Sequence, residues 1–137
     1  MQLLNTAISK SPNNPQLYFA LGSLYEVGLK DEAKAEEAYK KALDLDPENP
    51  SNIFSVGRLY FNQGVSLLDK ANSLNDQNQY KAEKAKAEAM LRKALPFFEK
   101  AHKLKPEERE YMIGLRGIYY NLSMNKEFDA INAEMSK

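Results

Sequence analysis

The sequence predicts an all-α fold: an α-α superhelix, a solenoid of antiparallel helix pairs with an elongated middle hairpin. Three observations carry this. Helix formers (Ala, Leu, Lys, Glu, Gln) dominate, and no segment sustains the alternation of a strand. The breakers gather at a few places: Pro12 and Pro15, Gly28, Pro47 and Pro50, residues 75–79, Pro106 and residues 123–125. Finally, "KALDLDPENP" at 41–50 is echoed by "KAHKLKPEER" at 100–109, which marks an internal repeat.

Between the breakers lie seven helical patterns, near 2–10, 15–27, 31–45, 50–74, 79–104, 107–121 and 126–136. The first carries Leu4 and Ala7 three apart and then Pro12, the ending of a second helix of a pair. The chain is therefore expected to be a piece of a longer protein. The second pattern places Tyr18, Leu21, Gly22 and Tyr25 at helical spacing, and the third continues with Ala35 and Tyr39 before Pro47. The fourth repeats the first set as Ile53, Val56, Gly57 and Tyr60. The fifth repeats the second set as Ala94 and Phe98, followed by Pro106. The sixth opens again with Met112, Leu115, Arg116 and Tyr119. The last puts Phe128, Ile131 and Met135 on one face, as a capping helix would.

Large residues at this spacing fill the gap between two helices, and Gly22, Gly57, Ala35, Ala42, Ala94 and Ala101 are small where helices approach to about 8–10 Å. Each proline ends a second helix, because it pushes the preceding residue out of helical geometry. The pattern resembles the tetratricopeptide repeat, W-x2-L-G-x2-Y followed by A-x3-F and P. The likeness covers nearly the whole chain. It implies a single domain over 1–137, with the end of one repeat at 1–12, repeats at 13–47 and 48–106, and a degenerate repeat at 107–137. Arg116 stands where that degenerate repeat should have a small residue.

Pro12 to Pro47 is 35, close to the ordinary interval, whereas Pro47 to Pro106 is 59. The excess lies between Tyr60 and Ala94. It is helical in pattern, with Val65, Leu68, Ala71 and Leu74 in one arm and Ala82, Ala85 and Ala89 in the other. About 12 residues added to each arm would project the hairpin by roughly 18 Å. Pro96 is expected to bend the second arm. Lys81, Lys84, Lys86, Arg92 and Lys93 against Glu83 and Glu88 give this arm a local charge of +3. Solvated helix faces explain such charge. A basic arm that docks an acidic partner is the sharper alternative.

Several function classes are excluded. Nineteen Lys and Arg balance nineteen Asp and Glu, unlike a nucleic-acid or polybasic membrane binder. Without cysteine there is no thiol nucleophile or zinc–thiolate site. His102 is the single histidine and has no clustered ligands. Glu107, Glu108 and Glu110 open a helix and complement its dipole. No catalytic residue, metal or cofactor is expected, and no enzyme activity.

The resemblance implies instead an interaction module whose first helices line a concave groove for a peptide or partner helix. Mapped position by position, the groove candidates are Phe19, Ser23 and Glu26, then Phe54, Arg58, Phe61 and Asn62, then Ile113, Tyr120 and Asn121. Aromatics supply area, Arg58 can grip a carboxylate, and amides can bond a peptide backbone. Phe19 and Phe54 fit a core role equally well. The residues that some family members use to hold a chaperone's C-terminal carboxylate are absent here. A purely architectural segment, or a noncatalytic part of a larger enzyme or transport assembly, is the alternative. The partner is a protein or peptide, not nucleic acid and not a membrane interior. The long middle repeat resembles those of bacterial members of the family, some of them exported, so a bacterial and periplasmic origin is an expectation resting on that likeness.

Overall fold

Each joint between helix pairs is built the same way. In the computed structural model, which describes residues 1–137, the residue before each of three prolines leaves helical geometry at nearly one point. Ser11, Asp46 and Lys105 have φ/ψ of −136/68, −143/76 and −140/75. Each donates its backbone N–H to an alanine carbonyl four residues earlier, on Ala7, Ala42 and Ala101. Proline forbids the helical conformation of its predecessor, so all three helices stop at the same step.

The elements are α1 (Gln2–Lys10), α2 (Pro15–Ser23) running into a π turn (Leu24–Gly28), α3 (Glu32–Leu45), α4 (Pro50–Asn72), α5 (Gln77–Leu104), α6 (Arg109–Asn121) and α7 (Asn125–Met135). There are no strands, and no helix is long and apolar enough to cross a membrane. Local chemistry sets the starts. Asn14 accepts from Gln16 N–H at 3.0 Å and Asn49 from Ser51 N–H at 3.0 Å, each followed by proline as the first helical residue. Asp31 and Asp76 cap α3 and α5 in the same manner.

Glu108 occupies the corresponding place before α6 and makes no side-chain cap bond. Glu108→Asn is therefore expected to stabilise the protein by about 0.5–1 kcal/mol. A urea midpoint shifted upward checks this, and an unchanged midpoint refutes it.

The π turn answers a small irregularity. The 35-residue interval is one residue longer than the usual 34. Leu29 N–H reaches Leu24 O at 3.0 Å, five residues back, so the turn carries an extra residue without breaking the helix. Lys30 then turns the chain at φ 54.

Contacts group the chain into two units, Met1–Val56 and Gly57–Lys137. In the first, α2 packs on α3 through Gly22. A Cβ on Gly22 would stand 2.5 Å from the Tyr39 ring, and Tyr39 is wholly buried. In the second, the residues of α4 from Gly57 onward pack on α5, α5 on α6, and α6 on α7. Ala87, Leu91, Ala94, Phe98 and Ala101 are buried along α5 at alternating steps of four and three. The Phe98 ring lies in a slot between two glycines. A Cβ on Gly57 would come 2.8 Å from the ring and one on Gly114 2.7 Å. A glycine thus faces an aromatic ring in both helix pairs, Gly22 with Tyr39 and Gly57 with Phe98. Arg116 replaces the glycine where α7 buries Ile131 and Met135 but no aromatic.

The added length of the middle pair is uneven. α5 has 28 residues against 14 in α3, while α4 has 23 against nine in α2 and five in the π turn. The helix also continues through Pro96. That residue is exposed, so water can satisfy the carbonyl that loses its N–H partner.

Candidate functional site

The groove candidates in the first unit serve the core. The Tyr39 hydroxyl donates to Glu26 Oε1 at 2.8 Å and lies 3.4 Å from Ser23 Oγ, and the Phe19 ring centroid is 5.5 Å from that of Tyr39. All three residues therefore hold one buried ring. Phe54 is 8% exposed, a core residue rather than a groove lining. A cleft of about 650 Å³ in this unit is lined by Tyr18, Leu21, Tyr25 and Ala38. Its aromatic faces are already engaged: the Lys34 and Lys41 ammonium groups stand 5.6 and 5.9 Å over Tyr25 and Tyr18.

The second unit is different. Phe61 of α4 leans on Gly117 of α6, where a Cβ would come 3.2 Å from its ring, and lies 5.9 Å from Phe98. Along α4, residues 61, 65, 68 and 72 recur on one face. Along α6, Ile113, Tyr120 and Asn121 share the side that carries Gly117, with Ile113 48% and Tyr120 70% exposed. Below the Phe61–Gly117 contact a cleft of about 490 Å³ opens, lined by Val65, Leu68, Asn72, Tyr120, Asn121 and Asn125 among others. Tyr120 and Asn121 thus come together with residues of the extension, and Phe61 lies at the head of the same α4 face. Asn62 is exposed. Arg58 is half-buried with its Nε shielded from solvent.

Val65, Leu68 and Asn72 were not among the groove candidates. The signal was there, because they continue the spacing from Phe61, but a pattern drawn from an ordinary repeat stops before the extension begins.

At the cleft's rim the chain turns at Ser123, φ 57. Met124 N–H bonds Tyr119 O at 2.8 Å and Ser123 N–H bonds Tyr120 O at 3.2 Å, the two bonds of a Schellman ending. Glycine favours this conformation. Ser123→Gly should therefore raise stability by about 0.5–1 kcal/mol, read as a higher melting temperature.

The titratable groups of this unit hold the scaffold. His102 Nε2 lies 2.9 Å from Glu134 Oε1 and ties α5 to α7, and Arg109 Nη1 donates to Met135 O at 3.2 Å. No three His, Asp or Glu side chains are placed to hold a metal ion. Burial, and then the charges of Glu99, Glu127 and Glu134, raise the Tyr119 phenol above its ordinary value of 10.0. A raised folded value means that its contribution is fully present below the unfolded phenol pKa and is lost as pH rises through the folded one. Tyr119→Phe should accordingly flatten the loss of stability above pH 10, measured by urea unfolding at pH 9 and 11.

Comparison with known proteins bears on the repeat. A family model described as "Tetratricopeptide repeat" matches residues 15–49, and those residues hold the Gly22–Tyr39 contact. Residues 15–49 are therefore a tetratricopeptide repeat. Two curated bacterial proteins named "Cellulose synthase operon protein C" are similar to it. The one from Xanthomonas axonopodis pv. citri (strain 306) is 38% identical over 93 residues, 66% of this chain and 6% of that protein. The one from Pseudomonas fluorescens (strain SBW25) is 33% identical over 94 residues, 65% of this chain and 7% of that protein. The chain therefore spans a small fraction of the length of these relatives. Among solved structures, a monomeric mutant of IFIT1 with Gppp-AAAA aligns with a TM-score of 0.73 at 19% identity, over 95% of this chain and 27% of that one. That likeness concerns the helical fold.

Proposed function

We propose that this tetratricopeptide-repeat chain is a noncatalytic binding segment of a larger protein, and that it holds an extended peptide of a protein partner in the α4–α6 cleft. Repeats of this type generally mediate protein–protein interaction, which supports the class. The convergence of Val65, Leu68, Asn72, Tyr120 and Asn121 on one cleft supports the place. Apolar residues of α4 and the Tyr120 ring give area, while the amides of Asn72, Asn121 and Asn125 can bond a peptide backbone. Asn121 Nδ2 already donates to Gly117 O at 2.8 Å, which aims its Oδ1. Unaided affinity on the order of micromolar, about −8 kcal/mol, suits such a site.

The natural setting in this reading is a long scaffold related to the cellulose synthase operon proteins, with complete repeats at 13–47 and 48–106. An exported, periplasmic location belongs to the same proposal and rests on the likeness of the extended repeat to exported bacterial proteins. A phosphatase fusion to the full-length protein tests it.

The test of the cleft is peptide selection from a displayed random library on the whole chain, followed by titration of the winners. Tyr120→Ala and Asn72→Ala should each weaken them at least tenfold. Winners that bind both variants unchanged would refute the cleft.

A further inference from the structure

The outer face of α5 carries a regular pattern that the cleft does not use. Lys86, Lys93 and Lys100 are exposed and seven residues apart. Beside them run Ala82, Ala89 and Pro96, also exposed and seven apart. Seven residues advance a helix by about 10.5 Å and return nearly to the same side, so both rows run along the helix axis. The helix as a whole carries seven Lys and Arg against three Glu. One of those three, Glu83, is turned inward, with 13% of its side chain exposed, and is shared by Lys70 at 3.8 Å and Lys86 at 3.2 Å. The two rows themselves contain no acidic residue. Lys93 is positioned as well, its ammonium 4.5 Å over the Tyr60 ring. The heads of Lys86 and Lys93 are thus held in place, which lowers the entropy lost on engaging a partner.

We propose that this face docks an acidic α-helix of a partner protein, one that presents carboxylates at seven-residue spacing. Charge complementarity selects the partner. The lysine row is a line of cations about 10.5 Å apart, and a helix lying nearly along α5 repeats its own side chains at that interval. The neighbouring row is short enough to let the two backbones approach closely at a shallow crossing angle. Nucleic acid is the less suitable partner, since neither row contains an aromatic side chain on which a base could stack. The surface lies apart from the α4–α6 cleft and does not depend on it.

The test titrates the whole chain with three fluorescent probes: a helical peptide with glutamates every seven residues, a scrambled peptide of equal charge and composition, and a single-stranded oligonucleotide. The patterned peptide should bind at least tenfold tighter than the other two, and more weakly as salt rises. Lys86→Glu combined with Lys93→Glu should lower its affinity at least tenfold. Ala89→Gln, which adds bulk within the small-residue row and removes no charge, should weaken it several-fold while leaving the circular dichroism unchanged. Equal binding of the scrambled peptide, tighter binding of the oligonucleotide, or no binding of the patterned peptide would each overturn the proposal. Loss of the selected cleft peptides in Tyr120→Ala, with patterned-peptide binding retained, would separate the two surfaces.

Discussion

Phe98→Ala is expected to cost about 3–5 kcal/mol of folding stability. The ring is 1% exposed and sits between Gly57 and Gly114, two positions with no side chain to move into a vacated space. Truncation removes the ring's burial and leaves a cavity between three helices. Urea unfolding should show the midpoint falling with the slope unchanged. A loss under about 1.5 kcal/mol would mean that the helices close over the gap, and that the slot is softer than its contacts imply.

Gly22→Leu is the second. Its Cβ alone would meet two Tyr39 ring carbons at 2.5 Å, and the rest of the side chain has further to intrude. Tyr39 cannot swing aside without giving up its 2.8 Å bond to Glu26. Overpacking of this kind costs roughly 1–3 kcal/mol. Gly28→Ala is the matched control. Gly28 is exposed, and a Cβ there meets only Leu24 Cδ1 at 3.1 Å, so its effect should stay within about 0.5 kcal/mol. A melting temperature as low for Gly28→Ala as for Gly22→Leu would refute the steric account.

The helices were legible because their ends are written in short-range chemistry. Proline fixes its predecessor, asparagine or aspartate bonds the next turn, and neither depends on distant neighbours. The role of Gly22 and Gly57 was legible for a related reason, since a glycine one turn from a tyrosine on a buried face marks a close approach of two helices. What the sequence hid depends on neighbours. Phe54 could face a groove or a core at the same helical position, and packing put it inside. Glu26 and Ser23 have the spacing of groove polar groups, yet their partner is a hydroxyl 13 and 16 residues onward. The π turn was invisible because one extra residue leaves no compositional trace. The cleft formed by the extension and the end of α6 required knowing that Phe61 meets Gly117, a contact between residues more than fifty positions apart.

The burial pattern of α5 has a hazard built into it. Ala87, Ala94 and Ala101 are interchangeable rungs seven residues apart, so the long arm resembles a ladder that could settle one heptad out of phase with α4. Phe98 removes that freedom. Shifted by seven, the glycine slot would receive either Leu91, too slender to fill it, or Lys105, a cation with no place among apolar walls. The Phe98 ring, together with Leu91 set against Gly64, therefore fixes the phase of an arm 28 residues long.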